Sequence, residues 1–167
     1  LISDAEELGL LGAQAFVDLH PWAKEIGLVL NFEARGSGGP SYMLIETNQG
    51  NANLMKEFVK ANPQFPVANS LAYSIYKMLP NDTDLTRFRA DADIDGFNFA
   101  FIGDHFDYHT AQDSFERMDH ESLLHQADYL MTLLPYFANS NLENLNSAED
   151  FVYVNFPFIG MLIFSFS

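Results

Sequence analysis

Acidic and histidine side chains stand at three places where a buried strand is expected to end. Glu6 and Glu7 follow the short apolar start of the chain, Glu33 follows the run LVLNF, and His109 lies in the loop after FNFAFIG. Ligands of open α/β sheets gather outside the carboxyl ends of the strands, so these side chains are expected to converge. Such a group could hold a metal ion, while a spare carboxylate accepts a proton from bound water.

Each of these residues also has an ordinary structural explanation. A single glutamate at a strand end usually lies at the surface, and a single loop histidine is usually held by a hydrogen bond. His105, four residues before His109, is an alternative ligand. His20, His120 and His125 are expected to be structural or exposed. Spacing alone therefore leaves both the metal site and the structural explanation open.

The composition narrows the chemistry that these residues could perform. The 167 residues include no cysteine, which excludes disulfides, thiolate zinc sites and cysteine nucleophiles. Any metal must use histidine and carboxylate ligands, a set that suits zinc in a hydrolytic site. A net charge of −15 with eight scattered Lys and Arg argues against nucleic acid. The stretch DADIDG at 91–96 resembles a calcium loop imperfectly and is expected to form a turn.

The elements that must position these residues alternate between helices and buried strands. The strands are predicted at 27–36, 42–47 and 95–103, and the helices at 8–19, 51–62, the second part of 63–80, 81–92 and 120–139. SGGPS at 37–41 is expected to break the chain, 20–26 and 104–119 to be loops, and Leu1 and Ile2 to end a strand that begins upstream. This alternation predicts an α/β sandwich.

Four motifs together resemble one enzyme family. They are DAEELGLLGAQAF, LNFEARGSGGP, NDTDLTRF and FAFIGDHFDYHTAQDSFERMD, which follow one another within 1–138. They resemble the co-catalytic zinc exopeptidases related to aminopeptidase S and glutamate carboxypeptidase, in particular the branch of the endoplasmic-reticulum metallopeptidase and the vacuolar membrane protease. The resemblance implies a three-layer αβα sandwich around a mixed β-sheet, with the N-terminal part of the domain outside this chain.

The same resemblance implies two zinc ions and a role for each matching residue. Glu6 matches the general base, and Tyr108 matches a residue whose hydroxyl steadies the tetrahedral intermediate. Glu7 and His109 match the ligands of one zinc. Glu33 matches the acidic ligand of the other zinc. The adjacent acids then differ in role, since one holds metal and the other carries a proton.

The resemblance also implies roles for residues that surround the proposed ligands and the general base. Asp113 is a candidate for a carboxylate that orients the ligand histidine. Arg35, Asp82 and Asp84 are expected to line the site. The resemblance also implies a second histidine and a bridging aspartate upstream of Glu6. Because the chain starts without Met just before that residue, it is expected to be a fragment that lacks both ligands.

The chain is predicted to contain three parts. Residues 1–138 form a partial zinc-peptidase domain, 139–150 a polar linker, and 151–167 an uncharged apolar tail that is either a strand or the start of a membrane segment. The expected partners are a peptide substrate, a membrane reached through the C-terminal region, and a second copy bound at an uncovered sheet edge. The expected location is a membrane, with the peptidase domain extracytoplasmic or lumenal.

Two functions follow from this sequence. The first is a zinc-dependent, aminopeptidase-like metallopeptidase that cleaves peptide bonds near the N-terminus of peptides, with this chain inactive alone. The alternative is a non-catalytic remnant of the peptidase fold that acts as a binding or structural module. The missing ligands favour the remnant for the chain as given, and the intact second half of the site favours the enzyme for the gene.

Overall fold

A three-stranded mixed β-sheet forms the centre of the structure, a computed structural model that describes residues 1–79, 82–156 and 158–165. The strands are β1 (Val29–Ala34), β2 (Gly38–Glu46) and β3 (Gly96–Gly103). Central strand β3 pairs in parallel with β1 and antiparallel with β2. The sheet therefore carries two parallel strands and one reversed edge strand.

Five helices accompany the sheet in the described part of the chain. They are α1 (Leu11–Leu19), α2 (Ala52–Ala61), α3 (Ser70–Met78), α4 (Asp84–Ala92) and α5 (His120–Ala138). Side-chain caps start several of them: Asn69 accepts the N–H of Ala72 before α3, and Asp119 accepts the N–H of Glu121 before α5. Helices α2 and α5 begin within one residue of the predicted positions, and α1 begins three residues later than predicted.

One face of the sheet carries the main apolar core. Successive strand residues point to opposite faces, so Phe97 and Phe99 share one face while Asn98 lies on the other. The core joins this face to α2 and α5 through the buried residues Met43, Ile45, Leu54, Phe58, Phe97, Phe99, Tyr129 and Leu133. Several of these are aromatic rings in contact, such as Phe99 and Tyr129, whose centroids lie 4.6 Å apart.

The opposite face of the sheet is covered by α1 and α4, which pack on each other. Their smaller apolar cluster contains Ala13, Leu85, Phe88 and Ile94. Helices on both faces of a mixed sheet confirm the predicted α/β layering. This second cluster leaves part of the sheet face free, and that part carries the polar residues described below.

Two local expectations are wrong. Residues 37–41 do not break the chain, because Gly38 already belongs to β2 and the register shifts between Gly38 and Ser41. The shift is a β-bulge. Gly39 has the left-handed backbone conformation that the bulge requires, with φ +83°. Leu1 and Ile2 form no strand and are largely exposed. The predicted loop at 20–26 also contains a 3-10 turn at Pro21–Glu25, started by proline.

The C-terminal residues form a hairpin. Strands β4 (Phe151–Phe156) and β5 (Gly160–Ser165) pair antiparallel, and Tyr153 enters the main core. Leu145, within the preceding polar stretch, is also buried in that core. In the described residues no helix is both long and apolar enough to cross a membrane. Pro80, Asn81, Pro157 and the last two residues lie outside the description.

Candidate metal centre

A cavity of about 420 Å³ opens on the polar face of the sheet, beside the carboxyl end of β1. Eight of the nine residues singled out in the sequence line it: Glu6, Glu7, Glu33, Arg35, Asp82, Asp84, Tyr108 and His109. The ninth, Asp113, does not line it. Segments that are far apart in the sequence therefore meet at one opening. This arrangement is typical of ligand sites at the carboxyl ends of strands.

Glu7 and His109 are in direct contact across this cavity. The Nε2 atom of His109 lies 2.5 Å from Oε1 of Glu7, although the two residues are 102 positions apart. The turn that carries Glu7 precedes α1, and His109 has a left-handed backbone with φ +57°. Both side chains are more than half exposed. The two residues proposed to share one metal are thus already neighbours.

Glu6 lies in the turn that leads into α1. Its carbonyl accepts hydrogen bonds from the N–H groups of Gly9 and Leu10, at 3.0 and 2.8 Å. Partial burial raises the pKa of the Glu6 carboxyl, and the nearby charges of Glu7 and Asp84 raise it further. Glu6 lines the same cavity as Glu7 and His109.

Hydrogen bonds to both the main chain and the side chain of Glu33 hold this residue near the end of β1. Its carbonyl accepts a hydrogen bond of 2.6 Å from Nε2 of Gln126 in α5. Its carboxylate accepts one of 3.2 Å from Nδ2 of Asn31. Burial raises the pKa of Glu33 to about 8, with a further contribution from the charge of Glu6.

The loop that carries His109 is fixed by an ion pair. Asp107 is buried and accepts two hydrogen bonds of 2.9 Å from Arg117. Tyr108 stacks on His109 with ring centroids 3.8 Å apart, and the Arg35 guanidinium lies 5.5 Å from the Tyr108 ring centre. Burial raises the pKa of the Tyr108 hydroxyl, followed by the charge of Glu7, so the hydroxyl remains a donor at neutral pH.

The other candidates take more peripheral positions. Asp113 accepts a hydrogen bond of 3.4 Å from the backbone N–H of His109. Asp113 therefore contacts the main chain of His109. Asp84 accepts a hydrogen bond from the Ser3 hydroxyl, and Asp82 is exposed at the rim.

The remaining histidines lie outside this cavity. His105 packs on Phe106, with ring centroids 4.0 Å apart. His125 lies between the N–H of Ser41 and the carbonyl of Phe65, a structural role. His20 accepts the N–H of Trp22, and His120 is exposed. These positions agree with the expectation that His20, His120 and His125 are structural or exposed.

Sequence reasoning missed three polar residues under the cavity. Asn31, Asn98 and Glu46 form a chain of hydrogen bonds on the same face of the sheet as Glu33. The available signal was an asparagine inside each of two apolar runs, LVLNF and GFNFAF. A buried amide is costly unless it is hydrogen-bonded, so an asparagine in such a run indicates a partner.

The described residues supply only part of a metal-binding set. Glu7 and His109 form one pair of donors, and Glu33 is a separate donor on β1. Within residues 1–79, 82–156 and 158–165, no group of three or more His, Asp or Glu is arranged to hold a metal. Catalytic zinc usually takes three protein ligands. These residues alone therefore do not fit a complete zinc site.

Comparisons with known proteins identify relatives over the whole chain. It is 30% identical over 171 residues to endoplasmic reticulum metallopeptidase 1 of Rattus norvegicus, covering 99% of this chain and 19% of the relative. The Homo sapiens protein of the same name is 30% identical over 97% of this chain and 18% of its own length. The vacuolar membrane protease of Candida dubliniensis is 32% identical over 90% of this chain and 16% of its own length.

These relatives are much longer than the chain, which spans about a fifth of their length. No solved structure shows a significant match. The model of peptidase family M28 matches residues 1–134, the part that contains the sheet, the cavity and most of α5. By this match, the chain belongs to peptidase family M28.

Proposed function

We propose that the complete protein is a zinc-dependent, aminopeptidase-like hydrolase that removes residues from the N-terminus of peptides. The observation that carries this proposal is the meeting of Glu6, Glu7, Glu33, Tyr108 and His109 at one cavity. Membership of peptidase family M28 supports a peptidase, and the metallopeptidase relatives support a metal-dependent one.

In this proposal each side chain has one task. Glu7 and His109 would hold one metal ion and Glu33 would contribute to a second, and the remaining ligands would come from outside the described residues. Bound zinc would polarise the scissile carbonyl and lower the pKa of the attacking water. Glu6 takes the proton of that water and passes it to the leaving amine. The Tyr108 hydroxyl donates a hydrogen bond to the oxygen of the reacting carbonyl.

The test is a Glu6→Gln substitution in the complete gene product, which includes any segment upstream of this chain. A general base contributes about 10²- to 10⁴-fold to the rate, so aminopeptidase kcat should fall by at least about a hundredfold. Zinc content should stay unchanged, because Glu6 is not proposed as a ligand. Glu25→Gln, at an exposed position, is the matched control. A Glu6→Gln rate within a few-fold of wild type would remove the proposed role.

A second candidate is a non-catalytic binding or structural module. The incomplete ligand set of the described residues favours it for this chain alone, which we also propose to be inactive by itself. Metal analysis separates the two functions. About two zinc ions per molecule of the complete protein support the enzyme, while a zinc-free, correctly folded protein supports the module.

The names of the relatives extend the proposal to location and partners. Because one group of relatives is named for the vacuolar membrane, we propose that the protein is membrane-associated, with its peptidase domain lumenal or extracytoplasmic. We also propose self-association of the chain through β1, whose ladder partner among the described residues is β3 alone. A monodisperse monomer of the isolated chain in light scattering would contradict self-association.

A further inference from the structure

We propose that the tip of the β4–β5 hairpin inserts into the surface of a lipid bilayer, an inference that rests on the membrane association proposed above and names the part of the chain that makes the contact. The tip, residues 157–159, joins Phe156 at the end of β4 to Gly160 at the start of β5. The N–H of Ile159 donates a 3.2 Å hydrogen bond to the carbonyl of Phe156. Phe158 is fully exposed, and Ile159 is more than half exposed. Two large apolar side chains therefore face water at the end of a hydrogen-bonded ribbon.

The backbone at Phe158 is unusual for a residue of this size. Phe158 has φ +67°, a left-handed conformation that bulky residues rarely adopt. Hairpin turns normally place Gly, Asn or Asp at such positions, and Gly160 follows this rule with φ +94°. A fully exposed ring in a strained conformation stabilises neither the turn nor the core. Its presence therefore indicates a contact outside this chain.

The apolar surface continues from the tip along one face of the hairpin. Side chains alternate between the two faces of a strand, and Tyr153, Met161 and Ile163 lie on the face that contacts the main core. The side chains of the opposite face are apolar: Val152, Val154, Phe156, Leu162 and Phe164. Phe156 and Phe164 are each more than half exposed. A sheet that is apolar on both faces is normally covered on both, so this outer face also requires a partner.

The charge distribution favours a neutral lipid surface as that partner. Residues 151–167 contain no Asp, Glu, Lys or Arg, although the whole chain has a net charge of −15. Charged side chains are costly to place in a bilayer, so an uncharged segment suits insertion. The acidic remainder of the chain would be repelled by anionic head groups. A bilayer of zwitterionic lipid is therefore the expected partner.

The size of the hairpin favours a membrane over a protein partner. Each of its two strands has six residues. At about 3.3 Å per residue the ribbon is roughly 20 Å long, and two strands with their side chains are roughly 10 Å wide. Its outer face is thus about 200 Å², whereas each partner in a stable protein interface buries about 800 Å². A lipid surface requires no matching shape and accepts a small apolar insertion.

The experiment is flotation of the chain with phosphatidylcholine vesicles in a density gradient. The wild-type chain should float with the vesicles. The Phe158→Asn/Ile159→Asn variant should partition at least about tenfold less, because burying one such side chain contributes roughly tenfold or more. Asparagine tolerates the left-handed φ at position 158, so the variant should keep its fold, which circular dichroism checks. If the double variant does not fold, Phe158→Asn alone should still lose several-fold in partitioning.

Two further arms test the specificity of this contact. Leu19→Asn/Trp22→Asn is the matched control, because it removes one exposed aliphatic and one exposed aromatic side chain outside the hairpin. This control should float like wild type. Vesicles that contain phosphatidylserine should bind the wild-type chain less well at low salt, and added salt should restore binding by screening the repulsion. Stronger binding to these vesicles at low salt would contradict the proposed neutral contact.

Three results would overturn the inference. They are a wild-type chain that does not float with phosphatidylcholine, a hairpin variant that floats within twofold of wild type, and equal losses in the hairpin variant and the control. Flotation uses no peptide substrate, so failure of the proposed peptidase activity leaves its result unchanged. Membrane association itself is tested by fractionation of cells that contain the complete protein. A soluble complete protein would refute both proposals, whereas a membrane-bound protein whose chain ignores vesicles would refute the hairpin contact alone.

Discussion

Arg117 holds both carboxylate oxygens of Asp107, with Nε 2.9 Å from Oδ2 and Nη2 2.9 Å from Oδ1. Ser37 donates a third hydrogen bond of 2.6 Å to the same group. The Arg117 guanidinium lowers the pKa of Asp107, so the carboxylate stays charged and the contact persists at neutral pH. Asp107 comes directly before Tyr108, so this clamp sets the path of the loop on which the proposed site depends.

Replacing Arg117 with lysine should therefore reduce peptidase activity. Lysine cannot reproduce the two parallel hydrogen bonds of a guanidinium, and the loop with His109 loses its fixed position. We expect kcat/KM to fall roughly tenfold, by analogy with other residues that orient metal ligands. Steady-state kinetics of the complete protein measure the change. Arg87→Lys is the control, since Arg87 forms a 3.7 Å contact with Asp91 within α4. Equal effects of the two substitutions would refute the clamp.

Leu133 is fully buried between α5 and the sheet, and its neighbour Leu134 is 54% exposed. Leu133→Ala should lower the free energy of unfolding by about 2–5 kcal/mol, because the lost side chain leaves a cavity in the core. Leu134→Ala should change it by less than about 0.5 kcal/mol. Denaturant unfolding of the two variants tests the assignment of the core face of α5. Similar losses would show that the helix is rotated from the position described.

Gln126 connects α5 to two strands through its side-chain amide. It donates to the carbonyl of Glu33 at 2.6 Å and to that of Phe99 at 2.9 Å. Gln126→Met keeps the length of the side chain but leaves two carbonyls without this donor, so we expect a loss of roughly 1–3 kcal/mol in unfolding free energy. Gln112→Met, at an exposed loop position, should be nearly neutral in the same denaturant titration. No difference between the two variants would contradict this bridging role.

A hydrogen bond between helices makes stability depend on pH at both extremes. The Tyr136 hydroxyl donates to Glu57 at 2.6 Å. Hydrogen bonds from Lys60 and then Tyr136 lower the pKa of Glu57 below 4.5, so its contribution is complete above pH 4.5 and disappears as the pH falls through the folded value. The same bond raises the pKa of Tyr136 to about 12, so that contribution is complete below pH 10 and disappears towards pH 12.

Tyr136→Phe should therefore flatten the pH dependence of stability at both ends. The melting temperature of the variant is expected to fall less steeply than that of wild type below pH 4.5 and above pH 10. Thermal unfolding from pH 3 to pH 11 checks this expectation. Tyr42→Phe is a suitable control, and parallel pH profiles for Tyr136→Phe and wild type would contradict the proposed linkage.

The sequence alone predicts those helices and strands that are encoded by a local pattern of apolar residues. The apolar run before Glu33 predicts β1, and the helical periodicity of 120–139 predicts α5 to within one residue. The SGGPS segment was misread because glycine and proline mark bulges as well as chain breaks. Whether such residues end a strand or bend it depends on the partner strand, which the local pattern does not contain.

Contacts over long separations account for what the sequence could not provide. Asn31 meets Asn98 only because β1 and β3 align in one parallel register, across 67 positions of sequence. A shift of two residues would keep both side chains on the same face and still separate them. The contact between Glu7 and His109 likewise depends on two loops, one of which is fixed by Arg117.

Side chains of the sheet alternate between its two faces, and this alternation limits how the length of the strands can change. In β3 the odd-numbered positions Phe97 and Phe99 fill the core, and the even-numbered Asn98 supports the site. In β1 the parity is opposite, since Leu30 packs on the core and Asn31 faces the cavity. Deleting one residue within either strand would exchange the two sets, placing amides in the core and apolar side chains in the cavity. A one-residue deletion in either strand is therefore expected to disturb the sheet more than a conservative substitution at one of its positions.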